Sequence, residues 1–455
     1  MTRDTHTWET TMTLLMHDRA GVPGMPGDSG LPLIGYTLQL AQGTILTGES
    51  RYRRHGPVSW SRALGMTSVQ AMGPDACGEV LRNRDQAYAN GPGWSTLIGP
   101  FFHGGLMLMD FDEHHRHRRI MQSAFTPQRL AGYLGPMNET IAAGLRRWPS
   151  SGTLRFHPLI KQLTLDVATR TFTGTPLGPE TDRVNTAFTD TVAATTAALR
   201  LPVPGTRWSR GLSGRRVLER YLAPRLADKR AGDGNDLFSA LCHAVGPDGE
   251  RFTDSEIVDH MVFLLMAAHD TATATMTTMA YYLARHPEWQ ERCREESRAL
   301  GVDAIDYADL DRLESLDLVM KEAMRIITPV PTVIRKTVRE TELLGYRIPA
   351  DTLVGVMLWH LHHMPELWPE PDRFDPERFA EPRREDKSHR YAYLPFGHGV
   401  HKCIGMYFGG MEVKAAMHQL LLRQRWSVDP DYRMPVLLRP LPKPGDGLPI
   451  RVSPA

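Results

Sequence analysis

The chain has 455 residues, 41% of them hydrophobic and 23% charged, with a net charge of +1; these are ordinary globular values, with no global pull toward nucleic acid or an anionic surface. Its four cysteines, Cys77, Cys242, Cys293 and Cys403, stand far apart with no CxxC pair, which argues against a disulfide scaffold or zinc ribbon and suits a reducing compartment. Residues 1–20 mix Asp4, His6, Glu9, His17 and Asp18 with a short apolar cluster at Leu14–Met16, which is neither a signal-peptide core nor a membrane span, so a cytoplasmic protein is expected.

From Val22 to Gly35 the chain carries Pro23, Gly24, Pro26, Gly27, Gly30, Pro32 and Gly35, a composition that cannot hold a helix and reads as an extended entry. Val58–Ser61 and Val69–Met72 flank Gly65 as a hairpin. Tyr88–Leu106 contains Asn90-Gly91-Pro92-Gly93 and the apolar residues Trp94, Leu97, Ile98, Phe101 and Phe102. It reads as a long loop, and long loops in compact enzymes are usually functional.

Asp110 to Arg119 packs three histidines among acids and arginines, but the histidines are not at helical ligand spacing, so a zinc site is disfavoured. His114 and Arg118, four apart, share a helix face. Arg116, His117 and Arg119 read as a solvated basic face, suited to an acidic partner. Helical pattern then runs from about Pro136 to Gly246, broken at Pro176, Pro202, Pro204 and Gly232-Asp233-Gly234.

Thr253-Asp254-Ser255-Glu256 is a capping box, and the helix it opens should run to His286, before Pro287. At 1.5 Å per residue that helix is roughly 45–50 Å long. Met261–Ala268 is apolar all round, so the helix is buried, while His260, His269 and Asp270 leave its uncharged run too short for a membrane. Within it, Ala267-Ala268-His269-Asp270-Thr271 sets an acid beside an alcohol, a costly pair in a dry helix unless used. The threonine can bond back to a carbonyl one turn earlier and loosen the ladder there.

Farther on, Glu322 and Arg325 are three apart on an amphipathic helix and can pair. Pro329-Val330-Pro331-Thr332-Val333 follows the helix stop, Arg335 begins a strand, and Thr337–Leu358 reads as two small hairpins. A last hairpin is expected from Leu437–Pro442 and Leu448–Ile450.

Between these lies Phe396-Gly397-His398-Gly399-Val400-His401-Lys402-Cys403-Ile404-Gly405, followed by a helical stretch. Its glycines allow a tight turn and close approach to a flat ligand. Cys403 precedes a helix N-terminus, where thiolate is favoured over thiol. The pattern Phe-Gly-x-Gly-x-His-x-Cys-x-Gly resembles the haem-binding signature of the cytochrome P450 family, with every position filled, and the likeness extends from about Pro26 to Ile450.

The resemblance implies a mainly α cytochrome P450 fold: a single domain over 26–455, after a tail over 1–25, with a large helical part and a small β-rich region. It implies haem b (iron protoporphyrin IX) with Cys403 as the axial iron ligand. Phe396, Gly397 and Gly405 would shape the cysteine loop, Ala267 and Ala268 the opposite haem face, and His114, Arg118, Arg335 and His401 would hold the propionates. Asp270 and Thr271 would pass protons to dioxygen; the family often has Gly where Ala268 stands, which would narrow the oxygen groove, and His269 reads as a packed histidine. Glu322, Arg325 and Arg378 would form a buried charge cluster behind the cysteine loop. Trp94, Phe101, Phe102, Val330, Val333 and Leu438 would line a pocket for a sterol-, terpenoid- or fatty-acid-like substrate, roofed by the 88–106 loop and by a lid from Asn185 to Trp208.

The activity implied is monooxygenation using O2. No flavin or nicotinamide fingerprint is present, so electrons would come from a separate ferredoxin or flavodoxin with its reductase. A peroxygenase driven by hydrogen peroxide often lacks the acid–alcohol pair, and a haem sensor would have no need of one. Asp270-Thr271 therefore disfavours both.

Overall fold

The computed structural model describes residues 21–42, 48–197, 199–438 and 441–455. The expectation for residues 1–20, and Arg439-Pro440 within the last hairpin, lie outside them. The labelled helices are α1 Pro74–Arg82, α2 Gly91–Phe102, α3 Phe111–Gln122, α4 Pro127–Leu145, α5 Phe156–Thr173, α6 Pro179–Ala194, α7 Arg207–Leu222, α8 Asp254–Arg285, α9 Pro287–Ala299, α10 Glu314–Ile326 and α11 Met406–Arg423. Most of the apolar core lies among them.

Helix α8 is the axis of this core. Thr253 and Glu256 close a reciprocal capping box, and the helix ends before Pro287 as expected. It packs against α5, α10 and α11. Its all-round apolar middle is buried on every side except at Met266–Ala268 and Asp270-Thr271.

The strands are β1 Gly27–Asp28, β2 Val58–Ala63, β3 Met66–Ala71, β4 Tyr88–Ala89, β5 Gly152–Arg155, β6 Val333–Thr337, β7 Thr341–Leu343, β8 Tyr346–Ile348, β9 Leu353–Val356, β10 Gln424–Ser427, β11 Val436–Leu437, β12 Lys443–Pro444 and β13 Pro449–Pro454. One sheet runs β1-β2-β3-β9-β6-β4 and covers a smaller core in which Val58, Val69, Val354 and Val356 meet Val22 and Met25 of the proline-rich entry. The β2–β3 hairpin is as expected.

Three elements differ from expectation. The 88–106 stretch is not an open loop but contains α2. Pro92 sits in its first turn, where no N–H is needed, and the Asp110 carboxylate accepts from the N–H groups of Asn90 at 2.6 Å and Gly91 at 2.8 Å. Strand β5 interrupts the helical region and, among the described residues, pairs only with β13. The C-terminal stretches do not form one hairpin: β11 pairs with β12, while β13 lies between β10 and β5.

Candidate active site

The cysteine loop is shaped by glycines in the left-handed region, Gly397 at φ 67° and Gly399 at φ 68°. A Cβ on Gly399 would lie 2.2 Å from the Leu81 carbonyl oxygen of α1, whereas one on Gly397 or Gly405 would meet open space. The Cys403 N–H donates to the Phe396 carbonyl at 2.9 Å, tying the loop shut. Phe396 and Ile404 pack on the main core, yet Cys403 is exposed while Cys77, Cys242 and Cys293 are buried. Burial nonetheless pushes its thiol up, against the Gly405 N–H, Arg118 and Lys402, which pull it down. The pull of the helix start and of the two cations on this sulfur is thus opposed by desolvation.

Across α8, Ala267 is exposed in the middle of an otherwise buried helix, with Ala268 and Thr271 half-buried beside it. Exposure deep inside the fold marks a hollow, and α8 packs against α11, the helix the cysteine loop opens.

Two arginines, Arg118 and Arg335, and two uncharged imidazoles, His114 and His401, converge at the rim of this hollow. His114 and Arg335 are buried, and the rings of His114 and His401 lie 3.9 Å apart. Arg335 donates to Asn90 Oδ1 at 2.5 Å, and His401 Nε2 lies 3.5 Å from Asp110 Oδ1. Burial, together with His401, Arg118, His115 and Arg335, holds His114 down to about 3; burial likewise lowers Arg335 to about 10. Arg118 has no hydrogen-bond partner among the described residues and faces Cys403 electrostatically. Set against the one carboxylate of Asp110, these groups leave positive charge unspent, the donor set that haem propionates need. Haem b therefore fits: open space over the glycines, an available sulfur and a cationic rim. Asn90 and Asp110 were missed in the sequence, where only the α2 N-terminus that Asp110 caps could have signalled them.

The acid–alcohol pair is set by neighbours from α5. Thr271 Oγ1 donates back to the Ala267 carbonyl at 2.9 Å. Lys161 Nζ donates to Asp270 Oδ1 at 3.0 Å. His269 is packed, its Nε2 donating to the Lys161 carbonyl at 3.0 Å, and its Nδ1 sits 3.1 Å from Asp270, off hydrogen-bond alignment. Burial raises the Asp270 carboxyl, but His269 and Lys161 outweigh it and hold it well below the usual carboxylate range.

Behind the loop, Glu322 accepts from Arg325 Nε at 2.7 Å and Nη2 at 2.9 Å, with Arg378 Nε at 3.4 Å, all three buried. Arg325 also donates to the His362 carbonyl at 2.8 Å. His362 Nε2 accepts the Leu394 N–H at 2.9 Å, and the Leu394 carbonyl accepts the Gly397 N–H at 3.0 Å. His362, unmarked in the sequence, thus links the charge cluster to the cysteine loop.

Of the pocket candidates, Phe101 and Phe102 are fully buried, with Phe101 edge-on to Trp208 at 4.8 Å; Trp94, Val330, Val333 and Leu438 are half-buried. The basic face of α3 is corrected. His117 is buried, its Nδ1 2.8 Å from His260 Nε2 on α8, because α3 turns His114 and His117 inward together. Arg116 pairs with Glu256 at 2.5 Å and Arg119 with Asp248 at 3.1 Å, so neither is a free cation.

The family model for cytochrome P450 matches residues 25–445. A putative cytochrome P450 136 of Mycobacterium tuberculosis is 46% identical, covering 96% of this chain and 89% of that protein. An abscisic acid 8'-hydroxylase of Arabidopsis thaliana is 28% identical, covering 94% of this chain and 89% of that one. Among solved structures, the retinoic acid-bound cyanobacterial CYP120A1 superposes with a TM-score of 0.84 at 25% identity, covering 96% of this chain and all of that one.

Proposed function

The chain belongs to the cytochrome P450 family, and we propose that this haem monooxygenase hydroxylates a bulky, apolar, isoprenoid-type substrate with electrons from a separate protein, a ferredoxin or flavodoxin with its reductase. The carrying observation is the exposed Cys403 in a packed loop beside an unspent cationic rim.

Haem bound there would supply the oxygen activation, with Cys403 as the thiolate ligand. Residues 26–455 form the catalytic domain. His114, Arg118, Arg335 and His401 would orient the cofactor through its carboxylates. The Thr271 hydroxyl is within one turn of Ala267 and can pass a proton across the hollow. Asp270, held as a carboxylate by the half-exposed Lys161, would orient the solvent molecule that resupplies that proton. Glu322, Arg325 and Arg378, through His362, would keep the cysteine loop in register.

The substrate class is supported by the aromatic roof of Trp94, Phe101 and Trp208, and by two relatives whose named ligands, abscisic acid and retinoic acid, are both isoprenoid acids. Spectral titration of the purified holoenzyme against isoprenoid acids, sterols and fatty acids tests it. Isoprenoids should shift the haem band, and a response confined to small polar compounds would refute the substrate class.

A further inference from the structure

We propose that Thr328 and His362 are positioning residues for Cys403: the threonine hydroxyl holds the buried imidazole in the one tautomer that can accept an amide of the cysteine loop. The inference rests on the reading of Cys403 as the haem ligand and adds what fixes the loop that carries it.

A backbone N–H can only donate, so the 2.9 Å contact from the Leu394 N–H makes His362 Nε2 an acceptor, without a proton. Burial, with His363 and Arg325, holds the imidazole well below its ordinary value, and the ring is neutral. Its one proton is therefore on Nδ1, which donates to Thr328 Oγ1 at 2.7 Å. The threonine hydroxyl donates in turn to the Arg325 carbonyl at 3.3 Å. His362 and Thr328 both stand at 0% exposure, so neither has solvent as a substitute partner. A proton on Nε2 instead would set two N–H groups head to head and break the tie to the loop.

The backbone of His362 is clamped as well. Its N–H donates to the Leu358 carbonyl at 3.0 Å, and its carbonyl accepts from Arg325 Nη1 at 2.8 Å. With that base fixed, the place of Leu394 follows the ring. The Leu394 carbonyl takes the Gly397 N–H, and the Phe396 carbonyl within that turn takes the Cys403 N–H. Thr328 is thus the distant member that sets the tautomer on which this series depends. Outer groups of this kind orient an axial ligand and tune its iron.

The test is nitrogen NMR of isotope-labelled histidine in the full-length holoenzyme as its reduced carbonyl complex, with amide exchange and the haem reduction potential. His362 should report a neutral ring protonated on Nδ1. A ring protonated on Nε2, or on both nitrogens, would overturn the proposal with no variant made. Thr328→Val removes the acceptor and keeps the branched shape. Exchange of the Leu394 amide should then quicken about tenfold, the reduction potential should move, and part of the carbonyl complex should absorb where a neutral thiol ligand does. Thr328→Ser should restore all three, and adding Thr328→Val to His362→Phe should change none of them further. A lower Tm in Thr328→Val with native exchange and potential would reduce Thr328 to packing and refute the proposal, as would additive effects in the double variant. None of these readouts needs a substrate, and the nitrogen shifts and exchange do not depend on which residue ligates iron. Their failure therefore leaves the substrate titration standing, and a failed titration leaves them readable.

Discussion

At the scale of single residues, two buried carboxyl groups stand in opposite situations. Asp270 is held ionised by Lys161 and His269. Glu412 of α11 is buried with neither oxygen hydrogen-bonded, and burial pushes it up to about 8. Lys161→Met removes the ammonium from Asp270, so burial should raise its carboxyl and move the acid limb of the pH–rate profile upward. An unmoved limb, with coupling of electron use to product unchanged, would detach Lys161 from the proton path. Cys403 and His401 could be named because the signature holds both within ten residues, whereas Arg335 came only from the wider family resemblance. Asn90, Asp110 and His362 were not, since each acts through contacts with residues far away in the chain.

At the scale of elements, the ties between helices set the expected sensitivities. Arg325→Ala would leave Glu322 as a buried charge held only by the Asp375 N–H at 2.9 Å and by Arg378 at 3.4 Å. A loss of about 3–5 kcal/mol is expected, read as a lower Tm and poor haem retention, because the link to Leu394 through His362 also goes. The α3–α8 tie predicts a pH dependence. Burial and His117 hold His260 to about 3, against an unfolded value near 6.5. The unfolded chain therefore takes the proton first. The stabilisation is whole above about pH 6.5 and declines below it, by up to about 1.4 kcal/mol per pH unit. Thermal melts from neutral to mildly acid pH should slope less steeply in His260→Phe. The helix α2 was hidden in the sequence by its glycines and prolines, because its start is stabilised by Asp110 and not by its own residues. His117 was hidden because a run of basic residues gives no phase for the inward face until α3 is docked.

At the scale of the whole molecule, the two larger cores are a helical one around α8 and a smaller one under the six-stranded sheet. The first was legible from the capping box and apolar middle of α8, which local chemistry dictates. The three-stranded sheet was not, since Gly152–Arg155 and Pro449–Pro454 pair although most of the helical core lies between them in sequence. Ile450 and Val452 are buried at 2% and 4%. Deleting Pro449–Ala455 should therefore cost roughly 1.5–3 kcal/mol for each of these side chains, besides unpairing two strands. Chemical denaturation and soluble yield of the truncated chain would show it, and an unchanged midpoint would refute the estimate.

That same pairing has a consequence for biosynthesis. Among the described residues strand β5 pairs with β13 alone, so the edge begun at residue 152 stays open on the ribosome until residues 449–454 have been translated and have left the exit tunnel. The loop at Cys403, on which cofactor capture depends, is likewise made late in synthesis.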